Sequence, residues 1–181
     1  MSDWNTCSYS IDGNDRIVAL GDEWHKFAIA NDAVELTAPG LIGESVWPFI
    51  TGNETRHLYQ VMLARVRMSG ATVRFPFRCD APNKRRFMEM EMRPHGEDGV
   101  EFVTQLLREE TRPAIALLEH KPTRANWMIR MCSWCKRVAT PDWVEVEDAI
   151  QRMQLFSLEM APQVSHSVCL DCRQLLRSAT R

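Results

Sequence analysis

This 181-residue sequence predicts an α+β fold with a small metal-stapled module at its C-terminal end. Three observations carry that prediction. Two short strand-like runs open the chain, and three alternating runs follow between residues 72 and 107. The segment between them has helical periodicity. Beyond residue 130 four cysteines stand in two matched pairs, Cys132-Ser133-Trp134-Cys135 and Cys169-Leu170-Asp171-Cys172, with 33 residues between the pairs.

Tyr9-Ser10-Ile11-Asp12 and Arg16-Ile17-Val18-Ala19-Leu20, joined by Gly13-Asn14-Asp15, have the composition of a hairpin. A helix is expected over residues 23–31, with Trp24, Phe27 and Ala28 on one side and Asp22 as its cap. Residues 32–52 break around Pro39-Gly40, Gly43 and Gly52, with Trp47, Phe49 and Ile50 as anchors, which predicts short helical turns. From Asn53 a longer helix runs to Ser69-Gly70, its stripe traced by Leu58, Val61, Met62, Arg65 and Val66. Three strands follow. The first, Thr72 to Cys79, alternates Val73, Phe75, Phe77 and Cys79, and its Pro76 marks it as an edge or a bulge. In the second, Arg85 to Arg93, Met88, Met90 and Met92 oppose Glu89 and Glu91; the third runs from Gly99 to Leu107.

Each C-x-x-C turn holds two sulfurs close together, so two turns can bring four thiolates to one tetrahedral zinc ion. Residues 1–120 hold 13 Lys and Arg against 18 Asp and Glu, a net charge of −5, whereas residues 121–181 hold 9 against 6, a net of +3. That tail is too weakly basic to imply nucleic acid by charge alone. Neither a secretory start nor an apolar run approaching ~20 residues is present, so a reducing cytoplasm and no membrane are expected. Gly-x-Gly-x-x-Gly, P-loop and Gly-x-Ser-x-Gly motifs do not occur, and no enzyme activity is expected.

The order strand, strand, small helices, then three antiparallel strands resembles the PAS sensory fold, a five-stranded antiparallel sheet with helices on one face. The likeness spans roughly residues 8 to 110 and rests on Ile11 to Ile17, Leu41 to Ile50 and Phe77 to Met90. The tail resembles the C-x-x-C-K-R … S-H-x-x-C-x-x-C segment that ends many bacterial PAS-containing signalling proteins. Its matching residues here are Cys132 to Val138, Trp143 to Glu147 and Ser165 to Cys172. These resemblances imply a PAS-like sensory domain over 1–110, a connector over 111–126 and a treble-clef-like, four-cysteine zinc module over 127–181. They further imply a bacterial signalling or regulatory protein that works through protein contacts. No phosphoacceptor helix, ATP-binding glycine box or receiver-type acidic cluster is seen beside them, so a sensor without an attached output enzyme is expected.

The expected ligands of one structural zinc are Cys132, Cys135, Cys169 and Cys172. A redox dithiol at Cys132-Cys135 is the rival, but it leaves the second pair unexplained. A helix beginning near Cys172 would favour thiolates at its N-terminus, and Lys136, Arg137 and Arg173 could offset the charge of a tetrathiolate. His166 is placed to hydrogen-bond around the ion or simply to pack. Trp24, Phe27, Trp47, Phe75, Phe77, Met88, Met90 and Met92 could line a ligand pocket, against the plainer reading of a core. His25 and His57 are conceivable haem ligands, but His25, His57, His95 and His120 read most simply as surface or packing residues. A flavin adduct lacks its cysteine, since none lies between Cys7 and Cys79. Ile115, Leu117 and Leu118 of the connector are expected to cover the sheet's outer face or to meet a second copy, making a homodimer. Val146, Ala149, Ile150, Met153 and Phe156 should form the module's core. A DNA-binding regulator gripping through Arg124, Arg130, Lys136, Arg137, Arg173 and Arg177 is the alternative function, disfavoured by the acidic residues Asp142, Glu145, Glu147 and Asp148. A thiol redox sensor is a second alternative.

Overall fold

Alternation of apolar and polar residues builds the first sheet of the computed structural model, which describes residues 5–31, 33–37, 39–119, 124–155 and 160–179. Strands β1 (Thr6–Ile11), β2 (Ile17–Leu20), β3 (Val73–Arg78), β4 (Lys84–His95) and β5 (Gly99–Thr111) pair antiparallel in the order β2-β1-β5-β4-β3. The register lines up Val73, Met92, Phe102 and Tyr9 in one row and Phe75, Met90, Thr104 and Cys7 in the next. Because side chains alternate faces with a period of two, these rows share one face, and the apolar set is buried together. Pro76 is accommodated because β3 is an edge strand. The opposite face is charged: Arg74 pairs with Glu91 at 2.6 Å and Arg93 with Glu101 at 2.8 Å.

Helix α2 (Asn53–Ser69) covers the apolar face and ends at Gly70, whose left-handed backbone (φ 65°) lets its N–H bond to the Val66 carbonyl. Its buried stripe is Met62, Leu63 and Val66, whereas Val61 is 40% exposed. The expected stripe is therefore rotated by one residue toward Leu63, because the sheet and the C-terminal module meet the helix from two sides. Helix α1 (Trp24–Ala30) forms where expected but without Asp22 as its cap. Glu23 is the N-cap residue and makes no capping bond through its side chain; the Trp24 N–H instead takes the Gly21 carbonyl of the incoming turn. Short 3-10 turns at Val34–Thr37, Pro39–Leu41 and Trp47–Phe49 fill the segment between the two helices.

The C-terminal part holds a second sheet, in the order β8-β7-β6-β9, of β6 (Met128–Cys132), β7 (Val138–Ala139), β8 (Trp143–Val144) and β9 (Gln163–Ser167), with α3 (Val146–Arg152) and α4 (Leu170–Ala179). Strands β6 and β9 run parallel, Cys132 opposite Ser167. The connector departs from expectation. Ile115 and Leu117 are buried with Ile129, Met131, Val138, Val146, Ala149 and Ile150, and Ala116–Leu118 is a 3-10 turn. Backbone bonds from Arg112 N–H to the Asn83 carbonyl and from Ile115 N–H to the Pro82 carbonyl turn the chain off the sheet and into the module, away from the sheet's outer face. Phe156, His120 and Pro122 lie outside the described residues.

The two parts share one core. Cys132, Trp134, Val168, Cys169 and Leu176 belong to the same buried cluster as Met62, Leu63, Val66, Val73, Phe75 and Phe102. The Trp134 indole lies 5.6 Å from the Tyr59 ring and 6.0 Å from Phe75, and its carbonyl accepts the Arg78 N–H at 2.6 Å. Beside it a charged network crosses the seam. Arg78 pairs with Asp80 and, at 2.6 Å, with Glu145; Arg112 reaches Asp80 and Glu147, each at 3.2 Å; Arg85 reaches Glu147 at 2.8 Å.

Candidate metal centre

Strand β6 delivers Cys132 at its end, and the chain then turns sharply. Lys136 adopts a left-handed backbone (φ 60°), which allows its N–H to reach the Cys132 carbonyl at 3.0 Å while the Cys132 N–H takes the Arg137 carbonyl at 2.8 Å. This folds Cys132 and Cys135 onto one side of a tight knuckle. The second knuckle follows β9: Cys169 immediately precedes α4, and Cys172 lies in that helix's first turn. The parallel pairing of β6 with β9 sets the two knuckles side by side, and the Ser133 N–H bonds to the Ser167 carbonyl at 2.8 Å.

All four sulfurs lie within 4.8 Å of one another, and Cys135 Sγ is 3.7 Å from Cys169 Sγ. A tetrahedral ion with metal–sulfur bonds of about 2.3 Å requires sulfurs about 3.8 Å apart, so the donor set fits one metal ion. Cys132 and Cys169 are buried, and Cys135 and Cys172 are half-buried. Crowding splits their acidities. Hydrogen bonds from the Cys135 and Cys172 thiols drive the Cys132 pKa far down, while thiol hydrogen bonds to Cys132 and Cys135 drive that of Cys172 far up, and burial raises that of Cys169. Mutual repulsion thus opposes ionisation of all four at once, and a divalent cation among them would relieve it.

Arg137 supplies part of the compensating charge, its Nε 3.2 Å from Cys135 Sγ and its Nη2 3.5 Å from Cys169 Sγ. Asp171 holds the guanidinium in place at 2.7 Å. Backbone N–H groups of Cys169 and Cys172 point at Cys132 Sγ and Cys169 Sγ, each at 3.5 Å. Lys136 closes the first knuckle by donating from Nζ to the Ser133 carbonyl at 2.8 Å. His166 sits in β9 opposite Met131, outside the sulfur cluster. Its Nδ1 is buried with no hydrogen-bond partner among the described residues, and burial followed by the nearby Lys136 charge lowers its pKa.

The eight candidate pocket residues are spread over the fold, with Trp24 and Phe27 half-buried on α1 outside the two buried clusters. Trp24 and Phe27 stand together on α1, their rings 5.8 Å apart, and the Trp24 indole N–H bonds to the Leu36 carbonyl. Trp47 bonds through its indole N–H to Asp15 at 2.9 Å. Phe75, Met88, Met90 and Met92 are buried on the inner sheet face. Phe77 lines a cavity of about 50 Å³ with Thr55, Tyr59, Ser133 and Trp134, at the seam between the two parts. Glu54 and Thr55, which reach both knuckles, were invisible in the sequence: a helix N-terminus carries no mark of what it will touch 78 or more residues away.

No family model matches the chain, and no curated protein matches it. Among solved structures it is similar to one described as "Structure of an RNA-binding Light-Oxygen-Voltage Receptor", with 19% identity and a TM-score of 0.40 over 57% of this chain. The chain spans 28% of that receptor's length.

Proposed function

We propose that this chain is a cytoplasmic signalling or regulatory protein in which a PAS-like sensory sheet is fused to a treble-clef-like module holding one structural zinc ion. It acts through protein contacts and is not an enzyme. The observation that carries this reading is the cluster of four cysteine sulfurs within tetrahedral reach, built directly onto the core of a five-stranded antiparallel sheet. Four thiolates fill a zinc ion's coordination, leaving no position for water or substrate, so the ion's role is to hold the fold.

The cations expected to face DNA are largely engaged within the chain. Arg124 donates to the carbonyls of Leu117, Glu119 and Pro162, Lys136 to that of Ser133, Arg137 to two sulfurs and Asp171, and Arg173 to Glu54. This favours a protein partner over nucleic acid. Among the described residues no helix is long and apolar enough to cross a membrane.

Elemental analysis of protein purified without added metal is the test, together with a mobility shift on random-sequence DNA at low salt. One zinc per chain and no shift are expected. Absence of metal with all four thiols open to alkylation contradicts the zinc reading. Sub-micromolar DNA binding lost in Lys136→Glu and Arg137→Glu contradicts the choice of partner.

A further inference from the structure

Both knuckles are gripped by a single turn of α2. Thr55, itself buried, shares a hydrogen bond of 2.7 Å between its hydroxyl and that of Ser133, the residue after Cys132 in the first knuckle. Glu54 holds the second knuckle at both ends. Its Oε2 accepts the Val168 N–H at 2.9 Å and the Ser167 hydroxyl at 3.1 Å, just before Cys169, and its Oε1 pairs with Arg173, just after Cys172. The chain is also close here: a Cβ on Gly52, whose φ is +91°, would stand 3.1 Å from the His166 carbonyl. The same helix lies across the inner face of the sheet through Met62, Leu63 and Val66.

We infer that Glu54 and Thr55 are positioning residues for the metal centre. They set the spacing of the two knuckles, and α2 thereby couples the sensory sheet to the hold on the ion. This rests on the zinc reading above. The knuckles are joined directly by the β6–β9 pair, by the Ser133 N–H bond to the Ser167 carbonyl and by Arg137 with Asp171, and the ion would join them further; the α2 turn adds a tie to both knuckles from outside the module. Coupling of this kind is reciprocal. A change that shifts α2 on the sheet loosens the metal, and loss of the metal frees the first turn of α2.

Zinc transfer from the 181-residue chain to a chromophoric chelator, 4-(2-pyridylazo)resorcinol, tests this. Glu54→Ala is expected to release zinc about 10- to 100-fold faster than wild type. Glu54→Gln, which keeps an acceptor for the Val168 N–H but not the charge for Arg173, should fall between them. Thr55→Val keeps the shape and should speed release several-fold, which covers a Glu54→Ala protein that fails to fold. Gly70→Ala, strained at the far end of α2, should lower stability yet leave the transfer rate near wild type, separating positioning from general destabilisation. Wild-type rates in both Glu54→Ala and Thr55→Val overturn this inference alone. A wild-type chain that takes up no zinc overturns the zinc reading and this inference together.

Discussion

Asp80 shows how a single side chain decides stability here. Its side chain is wholly buried, and it is the carboxylate shared by Arg78 and Arg112, each 7% exposed. Removing it leaves the two buried guanidinium groups only the more exposed Glu145 and Glu147 as acid partners, so Asp80→Ala should cost about 3 kcal/mol in urea unfolding, whereas Arg74→Ala, on the exposed side of the sheet, should cost under about 1 kcal/mol. Trp134→Ala should cost a similar amount, about 3–5 kcal/mol, because a large ring is lost from between Tyr59 and Phe75. The cysteine quartet was legible from spacing alone, since C-x-x-C has few structural uses in a chain like this. The roles of Asp80 and Trp134 were not, because each depends on residues distant in sequence, and neither residue type at its position signals a partner.

At the scale of elements, strands whose two faces differ announced themselves. The Val73-Phe75-Phe77 and Met88-Met90-Met92 alternations fixed β3 and β4, and Gly70 fixed the end of α2. The parallel β6–β9 pair was hidden: five-residue strands 31 or more positions apart carry no turn signal, and their pairing is a tertiary fact. The start of α2 at Asn53 was legible after the break at Gly52, but the contact that fixes its entry was hidden. Its backbone lies at φ +91° against the His166 carbonyl, where any side chain is strained and crowded. Gly52→Ala should therefore destabilise the protein by about 1–3 kcal/mol, measured by urea midpoint, and push the first turn of α2 away from β9.

For the whole molecule, the buried interior sets an alkaline limit. Burial first, and the neighbouring Cys79 second, push the Cys7 thiol up to about 12 from 9.0 and the Tyr59 hydroxyl up to about 12 from 10.0. Both groups are neutral when protonated, and the unfolded chain gives up these protons at lower pH than the folded one. Their contribution to stability is thus fully present below pH 9 and is lost as pH rises through about 12. The urea midpoint should fall steadily over that range, and Tyr59→Phe should flatten the fall. The same interior joins the cysteine cluster to the sheet, since Cys132 and Cys169 sit in one buried cluster with Phe75 and Met92. Amide hydrogen exchange of β3 and β4, which contain none of the four clustered cysteines, tests that union together with the proposed zinc, when a chelator withdraws it. Protection across Val73–Arg78 and Lys84–His95 is expected to fall as zinc leaves and to return in full on adding back one equivalent. Unchanged protection in both strands while the knuckles around Cys132 and Cys169 open would contradict a shared core held by the metal.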